Sequence, residues 1–194
     1  MSDIILRNVS KAFDGKEVLR NVSLDFPAGV TCCIKGRSGI GKTTLLRIIA
    51  GLLTPDEGTV EGRPEKIAFV FQEDRLCDDF SALSNIRMVT GKNRPKEEIL
   101  QHLEELDLRG EAAQPVRDFS GGMRRRVALA RAVCADADLL LLDEPFKGLD
   151  PELRVRVIDY VKRHTQGKTV ICVTHEEAEA ELLGGRLLEL KETE

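Results

Sequence analysis

Residues 30–53 read VTCCIKGRSGIGKTTLLRIIAGLL, and this stretch decides the fold. The first six residues favour a buried strand. Glycines at 36, 39 and 41 interrupt the apolar pattern and predict a loop. From Lys42 to Leu53 the residues are strong helix formers, apolar on nearly all sides, and predict a buried helix. A strand, a glycine-rich loop and a helix in this order form the first unit of an α/β fold.

Further apolar runs have the length of strands. They lie at residues 67–71 (IAFVF), 139–142 (LLLL) and 170–173 (VICV), and a last strand is predicted at residues 186–190. The first three do not alternate with polar residues, which is typical of parallel strands covered on both faces. Because these runs alternate with helical patterns, the sequence predicts an α/β core with a largely parallel sheet.

The N-terminal part has a different pattern. Val22, Leu24 and Phe26 alternate with polar residues, and residues 27–29 (PAG) end the run. Alternation with a period of two predicts a half-exposed antiparallel strand. We therefore expect a small antiparallel β subdomain beside the parallel core.

Residues 78–135 lack strand-like runs. Ile99, Leu103 and Leu106 fall on one helical face, and Pro95 stands where a helix would begin. We interpret this segment as a helical lobe inserted into the core. The prediction is one domain over residues 1–194, with an α/β core at about 1–77 and 136–194 and the lobe at about 78–135.

Composition narrows the possible functions. Lys and Arg total 29 against 33 Asp and Glu, and this net charge of −4 predicts no nucleic-acid partner. No apolar run approaches the length of about 20 residues that spans a bilayer, and we expect a cytoplasmic chain. Cys32, Cys33 and Cys172 lie in apolar runs and are expected to be buried, whereas Cys77 lies among polar residues.

The glycine-rich loop has the spacing of a phosphate-binding loop. Residues 36–43 (GRSGIGKT) match the pattern G-x-x-x-x-G-K-[ST]. Such a loop wraps its N–H groups around phosphate oxygens at the positive end of the following helix. Lys42 is expected to reach the β- and γ-phosphates, and the Thr43 hydroxyl to bind Mg²⁺. A glycine-rich turn without a ligand is the alternative, but the flanking strand and helix favour phosphate.

An acidic pair follows the run of four leucines. Asp143 and Glu144 come directly after residues 139–142, and a carboxylate there emerges at the sheet edge where ligands bind. Asp143 can hold the magnesium through a water, and Glu144 can act as general base toward the attacking water. Two solvated acids in a turn are the alternative, which the phosphate loop disfavours because it needs an acidic metal partner.

Residues 119–132 (FSGGMRRRVALARA) contain a local conflict. Ser120 is a good N-cap for a helix, yet Arg124, Arg125 and Arg126 occupy its first turns, where cations are disfavoured. Such conflicts often mark functional sites. One interpretation is that an anion docks on the amides of residues 120–122. The other is that the arginines turn away or pair with acids.

This segment resembles the signature motif of ABC ATPases, usually L-S-G-G-Q, and the other elements of that family follow in order over essentially the whole chain. Gln72 resembles the Q-loop glutamine, and Asp143 with Glu144 resembles the Walker B pair. Residues 148–150 (GLD) resemble the D-loop, and His175 resembles the switch histidine. Phe13 resembles the aromatic residue that stacks on adenine.

The resemblance implies a RecA-like P-loop NTPase core of the ABC type, with ATP and Mg²⁺ as cofactors. It implies catalytic roles for Glu144, His175, Gln72 and Lys42, and metal binding by Thr43, Gln72 and Asp143. It implies nucleotide binding by Phe13, Gly36, Arg37, Ser38, Gly39, Ile40, Gly41, Lys42, Thr43, Thr44, Ser120, Gly121 and Gly122. Residues 120–122 would act on the ATP of a second copy, in a head-to-tail homodimer.

Three positions depart from the family pattern. Met123 replaces glutamine, which removes a polar contact to the nucleotide across the interface, Phe119 replaces leucine, and Phe13 replaces the commoner tyrosine. Residues 71–76 (FQEDRL) together with SGGMR resemble importer ATPases of the nitrate, sulfonate and taurine group.

The expected function is therefore ATP-driven transport, with import favoured over export. The expected partners are an integral membrane permease, which docks on the lobe and residues 72–80, and a solute-binding protein. The subunit would lie peripherally on the cytoplasmic face of the membrane. The alternatives are a P-loop kinase, which does not need S-G-G-x-R before a helix, and a soluble ABC ATPase acting on DNA or ribosomes, which predicts a coiled-coil or zinc insertion.

Overall fold

Five parallel strands form the central sheet of this computed structural model, which describes residues 2–91 and 94–190. The strands are β3 (Thr31–Lys35), β5 (Ile67–Val70), β6 (Leu139–Asp143), β7 (Thr169–Val173) and β8 (Arg186–Glu189). Their order is β5-β6-β7-β3-β8, and each neighbouring pair is parallel. The predicted parallel sheet is confirmed, with strand limits that differ by one residue from the sequence patterns.

Both faces of this sheet are covered. Every residue of β6 and β7 is buried. Leu139 and Leu141 pack into one apolar cluster, and Leu140 and Leu142 into another on the opposite face. Because burying each such side chain contributes about 1.5–3 kcal/mol, the uninterrupted apolar runs stabilise the sheet from both sides.

A second sheet is antiparallel and packs against one of these faces. Its strands are β1 (Ile4–Phe13), β2 (Lys16–Phe26) and β4 (Glu57–Glu61), in the order β2-β1-β4. Leu19 and Phe26 of β2 are buried, whereas the residues between them are exposed or half-buried. The predicted half-exposed antiparallel strand is confirmed and extends further toward the N-terminus than the alternating run.

The helices surround the parallel sheet. They are α1 (Lys42–Ile49), α2 (Ala82–Thr90), α3 (Lys96–Glu105), α4 (Gly121–Cys134), α5 (Pro151–His164) and α6 (Glu177–Leu183), with a 3-10 turn at Val116–Asp118. The predicted last turn of α1 is wrong. The helix ends at Ile49 because Gly51 turns the chain with a φ of 73°, which leaves Leu52 exposed.

Between residues 78 and 135, the described part of the chain consists of helices joined by turns and loops, and its one β pairing is a single bridge between Ser81 and Pro115. Ile99, Leu103 and Leu106 are buried in one cluster with residues of the parallel sheet. We propose the division into a core at about 1–77 and 136–194 and an inserted lobe at about 78–135. Among the described residues, no helix combines the length and the apolar character that a membrane span requires.

A buried histidine joins α3 to α5. The Nδ1 atom of His102 on α3 lies 2.9 Å from the Tyr160 hydroxyl on α5, and its Nε2 lies 3.3 Å from a guanidinium nitrogen of Arg94. Arginine only donates, so Nε2 accepts and Nδ1 carries the proton of a neutral ring. Burial lowers the pKa of His102, and His164 and Arg94 lower it further against the opposing effect of Glu105 and Glu98.

We expect the protein to lose stability as the pH falls from about 6.5, the usual histidine value, toward the lowered pKa of His102. Between these two pKa values, His102 is protonated in the unfolded state but stays neutral in the folded state. Each pKa unit of difference costs about 1.4 kcal/mol. Urea unfolding of the wild type and His102→Gln at about pH 7.5 and about pH 5.5 measures the effect. The variant should lose less stability on acidification, and an equal loss would contradict the assignment.

Candidate active site

The glycine-rich loop lies between β3 and α1 and presses against the antiparallel sheet. Gly41 precedes the first residue of α1 with a φ of 100°. A Cβ atom at this position would lie 2.7 Å from Leu19 Cδ2 and 2.8 Å from the Val18 carbonyl oxygen. Both the backbone conformation and the close approach therefore require glycine. The loop is held against β2 while its other side stays open.

Lys42 folds back over its own loop. Its Nζ atom donates hydrogen bonds of 2.8 Å to the carbonyl oxygens of Gly36 and Arg37. Burial lowers the pKa of Lys42, and the negative charges of Glu144 and Asp143 oppose this shift. The ammonium group thus lies at the loop, facing two carboxylates.

A cleft of 180 Å³ brings most of the predicted site together. It is lined by Val18, Ser38, Gly39, Gly41, Lys42, Thr43, Thr44, Gln72, Glu144 and His175. Apart from Val18 on β2, these residues follow four neighbouring parallel strands, whose carboxyl ends meet at one sheet edge. Val18 was missed by the sequence analysis, because only the tertiary contact between β2 and the loop brings it to the site.

Asp143 ends β6 beside this cleft. The residue is buried, and neither carboxylate oxygen has a hydrogen-bond partner of normal geometry in the described part of the structure. Burial raises the pKa of Asp143, and the nearby Thr43 hydroxyl opposes this rise. A buried carboxylate without a partner is costly unless a cation compensates it. Oxygen ligands of this kind fit Mg²⁺, so Asp143 and Thr43 could hold that ion.

Glu144 adopts a left-handed backbone conformation with a φ of 47°. Its Oε1 atom lies 2.9 Å from His175 Nε2, and its Oε2 atom lies 2.8 Å from Lys147 Nζ. Burial alone would raise the pKa of Glu144, but the hydrogen bonds from Lys147 and His175 outweigh it and hold the pKa below its usual value. The carboxylate is therefore ionised and able to accept a proton.

Three of the predicted nucleotide-binding residues lie beside a second, larger cleft. Ser38, Gly39 and Ile40 line 510 Å³ of space against β2, next to the phosphate cleft. Phe13 lines neither cleft. It stands at the end of β1, 44% exposed, with Lys11 Nζ 5.6 Å from its ring centroid.

Residues 120–122 are not brought into the cleft of their own chain. Ser120 caps α4, as predicted, with its hydroxyl oxygen accepting from the Met123 amide at 3.3 Å. Ser120 and Gly121 are exposed, and a Cβ atom at Gly121 would meet open space. Ser120 and Gly121 therefore lie open to solvent, while Gly122 is half-buried beside Leu149.

The three arginines at the start of α4 are held by partners within the chain. Arg124 pairs with Asp78 at 2.7 Å, and Arg126 donates to the Leu106 carbonyl oxygen at 2.5 Å. Arg125 is buried and donates to main-chain carbonyls next to the cleft. Pairing within the chain explains why three arginines can stand at the start of this helix. All three therefore have a structural role. The sequence alone left open whether they pair within the chain or attract an anion.

A phosphate loop, a buried carboxylate suited to Mg²⁺ and an ionised glutamate lie at one edge of the sheet. Together with the fold, they define a P-loop nucleotide hydrolase. Residues 19–147 match the sequence profile described as ABC transporter. The chain is 41% identical over 194 residues to "Aliphatic sulfonates import ATP-binding protein SsuB 2" of Agrobacterium fabrum, covering 95% of this chain and 74% of that protein. It is 37% identical to "Sulfate/thiosulfate import ATP-binding protein CysA" of Pseudomonas syringae pv. tomato, covering 95% of this chain and 63% of that protein.

A solved structure agrees with these relatives. The chain is similar to the dimeric structure of MJ0796, a bacterial ABC transporter cassette, with a TM-score of 0.86 and 31% identity over 96% of this chain and 94% of that one. The same cassette is also known in a post-hydrolysis state bound to ADP and Pi.

The chain belongs to the ABC transporter family as an ATP-binding subunit. It binds and hydrolyses ATP with Mg²⁺ and acts with membrane permease subunits. The predicted family, fold class, enzyme activity and cofactors are confirmed.

We expect Gly41→Ala to destabilise the protein more than Gly39→Ala. Both glycines have a positive φ, so each alanine costs about 1–2 kcal/mol of backbone strain. At Gly39 nothing lies within 4 Å of the added Cβ, whereas at Gly41 it meets the Val18 main chain at 2.8 Å. Overpacking adds about 1–3 kcal/mol. Urea unfolding of both variants measures the difference, and equal losses would show that the loop does not press on β2.

Proposed function

We propose that this chain drives solute import by forming an ATP-dependent homodimer on the cytoplasmic face of a membrane permease. The proposal rests on the observation that the phosphate cleft and the start of α4 lie on different surfaces of the chain. The cleft is lined by the phosphate loop, Glu144 and His175, with Asp143 buried beside it, whereas Ser120 and Gly121 are exposed outside it. An open site beside exposed helix-terminal amides is completed by a second copy in head-to-tail orientation.

Lys42 is proposed to bind the β- and γ-phosphates. Its two hydrogen bonds to loop carbonyls occupy the ammonium in the structure. On nucleotide binding, it exchanges these neutral acceptors for charged oxygens, and charge-assisted bonds are roughly twice as strong. The amides of residues 36–44 supply the remaining donors, and the helix α1 points its positive end at the phosphates.

Magnesium binding falls to Thr43, Gln72 and Asp143 in this proposal. When bound, the ion neutralises phosphate charge and polarises the phosphoryl group. Asp143 is buried, and among the described residues neither of its carboxylate oxygens has a hydrogen-bond partner of normal geometry, which supports this role. Gln72 lines the same cleft and has an exposed side chain that can reach the ion and the attacking water.

Glu144 is proposed as the general base for the attacking water. Its lowered pKa keeps it ionised, so it can accept the proton. In the structure it is paired with His175 and Lys147, whose side chains are 42% and 77% exposed. Both partner side chains are exposed, although Glu144 itself is only 11% exposed, so they can move away from it, and His175 can turn toward a γ-phosphate.

The nucleoside is proposed to lie along the cleft of 510 Å³ beside β2, next to Val18. Phe13 would then stack on the base after a small movement of the turn between β1 and β2, because its exposed ring stands at the end of that hairpin. On the partner subunit's side, Ser120, Gly121 and Gly122 would donate to the γ-phosphate of this nucleotide.

The permease is proposed to dock on the lobe and on residues 72–80. Phe80 and Met88 are each 50% exposed, and Val89 is 45% exposed, on the loop and the helix α2 that follows it. Large exposed apolar side chains that lie near one another mark contact surfaces. A solute-binding protein would act with the permease on the opposite side of the membrane.

Import follows from the relatives, which are named as import ATP-binding proteins for aliphatic sulfonates and for sulfate or thiosulfate. We propose an aliphatic sulfonate as the solute.

Cells lacking the gene should fail to take up a labelled aliphatic sulfonate, and the wild-type gene, but not Lys42→Ala, should restore uptake. If uptake is unchanged in the deletion strain and efflux of another compound is lost, the proposed import is wrong and the chain drives export.

Glu144→Gln should trap an ATP-bound homodimer. Glutamine keeps the shape and still accepts a hydrogen bond, but it takes no proton from water. Hydrolysis should fall by ~10²–10⁴-fold while ATP binding survives. Light scattering after size-exclusion chromatography, with and without Mg-ATP, and a phosphate-release assay measure both effects.

The control adds Ser120→Arg to the Glu144→Gln protein. The extra side chain lies on the outward face of α4, so each monomer should still bind ATP but no longer pair. A double variant that dimerises would remove Ser120 from the interface. Hydrolysis by Glu144→Gln at the wild-type rate would show that Glu144 is not the base.

A further inference from the structure

Arg125 joins the signature helix to the end of β6. The side chain is 4% exposed, and its guanidinium donates three hydrogen bonds to consecutive carbonyl oxygens there. The distances are 2.8 Å to Asp143, 2.6 Å to Glu144 and 2.9 Å to Pro145. One planar group thus satisfies three acceptors in the turn that carries Asp143 and Glu144.

The same guanidinium also reaches the segment after β5. Its Nη1 atom donates to the Phe71 carbonyl oxygen at 2.5 Å and lies 3.2 Å from the Asp74 carboxylate. The Gln72 carbonyl oxygen lies further away, at 3.5 Å. Arg125 therefore ties together α4, the turn after β6 and the loop that begins with Gln72.

The backbone of Glu144 makes this contact important. Its φ of 47° lies in the left-handed region, which costs a non-glycine residue about 1–2 kcal/mol. Two bonds hold this conformation from opposite sides. The Glu144 amide donates to the Val173 carbonyl oxygen at 3.0 Å, and the Glu144 carbonyl accepts from Arg125. Without the arginine, one side of the strained peptide would be released.

We propose that Arg125 is a positioning residue for ATP hydrolysis, which holds Glu144 in its left-handed conformation and fixes it relative to Gln72. The inference rests on the proposed role of Glu144 as the base. The contacts of Arg125 are main-chain carbonyl oxygens and the Asp74 carboxylate, so it acts through the main chain. It also joins the base to α4, the helix whose first residues face the partner's nucleotide.

The geometry requires an arginine. Five N–H donors in a rigid fork serve acceptors on two segments at once, whereas a lysine ammonium offers a single point of contact. Arg125→Met keeps an apolar stem of similar length but leaves the carbonyls without a donor. Arg125→Lys keeps the charge and can satisfy only part of the set.

Arg125→Met should lower kcat roughly 10- to 100-fold, since a displacement of about 1 Å of a reacting group costs on the order of 10²-fold. The affinity of the monomer for ATP should change less than about threefold, because the phosphate loop is untouched. Arg125→Lys should lie between. The matched control is Arg63→Met, which removes an arginine that donates to the Ile48 and Ile49 carbonyls at the far end of α1. It should keep the wild-type kcat.

A double-mutant cycle separates positioning from general destabilisation. If Arg125 acts through Glu144, adding Arg125→Met to Glu144→Gln should slow single-turnover hydrolysis little further. If the rate losses of the two single variants instead multiply in the double variant, the inference is overturned. It is also overturned if Arg125→Met unfolds normally in urea and keeps the wild-type kcat. If Arg125→Met does not fold, Arg125→Lys carries the same cycle. Glu144→Gln at the wild-type rate would instead overturn the role of Glu144, and this inference with it.

Discussion

The parallel alignment of four neighbouring strands is the constraint on which the whole site depends. β5, β6, β7 and β3 lie side by side and point the same way, so the residues that follow them emerge at one edge. Gln72, Glu144, His175 and the phosphate loop each follow a different strand. None of these segments is close to another in sequence. The buried leucine, valine and isoleucine side chains that hold the strands in register therefore also set the distances within the cleft.

The charged side chains at the cleft differ in how well they are paired. Glu144 is paired with two cationic or polar partners, and Lys42 rests on carbonyls of its own loop. Asp143 is buried, its carboxylate oxygens have no hydrogen-bond partner of normal geometry in the part of the chain that the structure describes, and burial raises its pKa. The site thus has an ionised base ready in place and one carboxylate whose burial is costly until a cation arrives. This arrangement favours the binding of nucleotide together with its metal over the binding of nucleotide alone.

The strands, the phosphate loop and the acidic pair were predictable because their signals are local. Apolar runs, glycine spacing and a carboxylate at a strand end each occupy a few consecutive residues. The predicted end of α1 at Leu53 was wrong, since Gly51 turns the chain earlier. Val18 and Arg125 escaped prediction because their roles arise from contacts between distant segments. The Arg124–Arg126 run signalled that something was unusual, but only the folded chain shows which carbonyls and acids these arginines contact.

The apolar cluster that fills the lobe continues without a break into the sheet. Ile86 and Ile99 of the lobe share it with Val70 and Leu140 of the sheet, and α4 supplies buried residues between them. A chimaera that exchanges the lobe with that of a relative would therefore also have to match the apolar side chains of the sheet that share this cluster, such as Val70 and Leu140, or it would leave mismatched packing at the boundary. For engineering, the lobe is exchangeable only together with the sheet residues on which it packs.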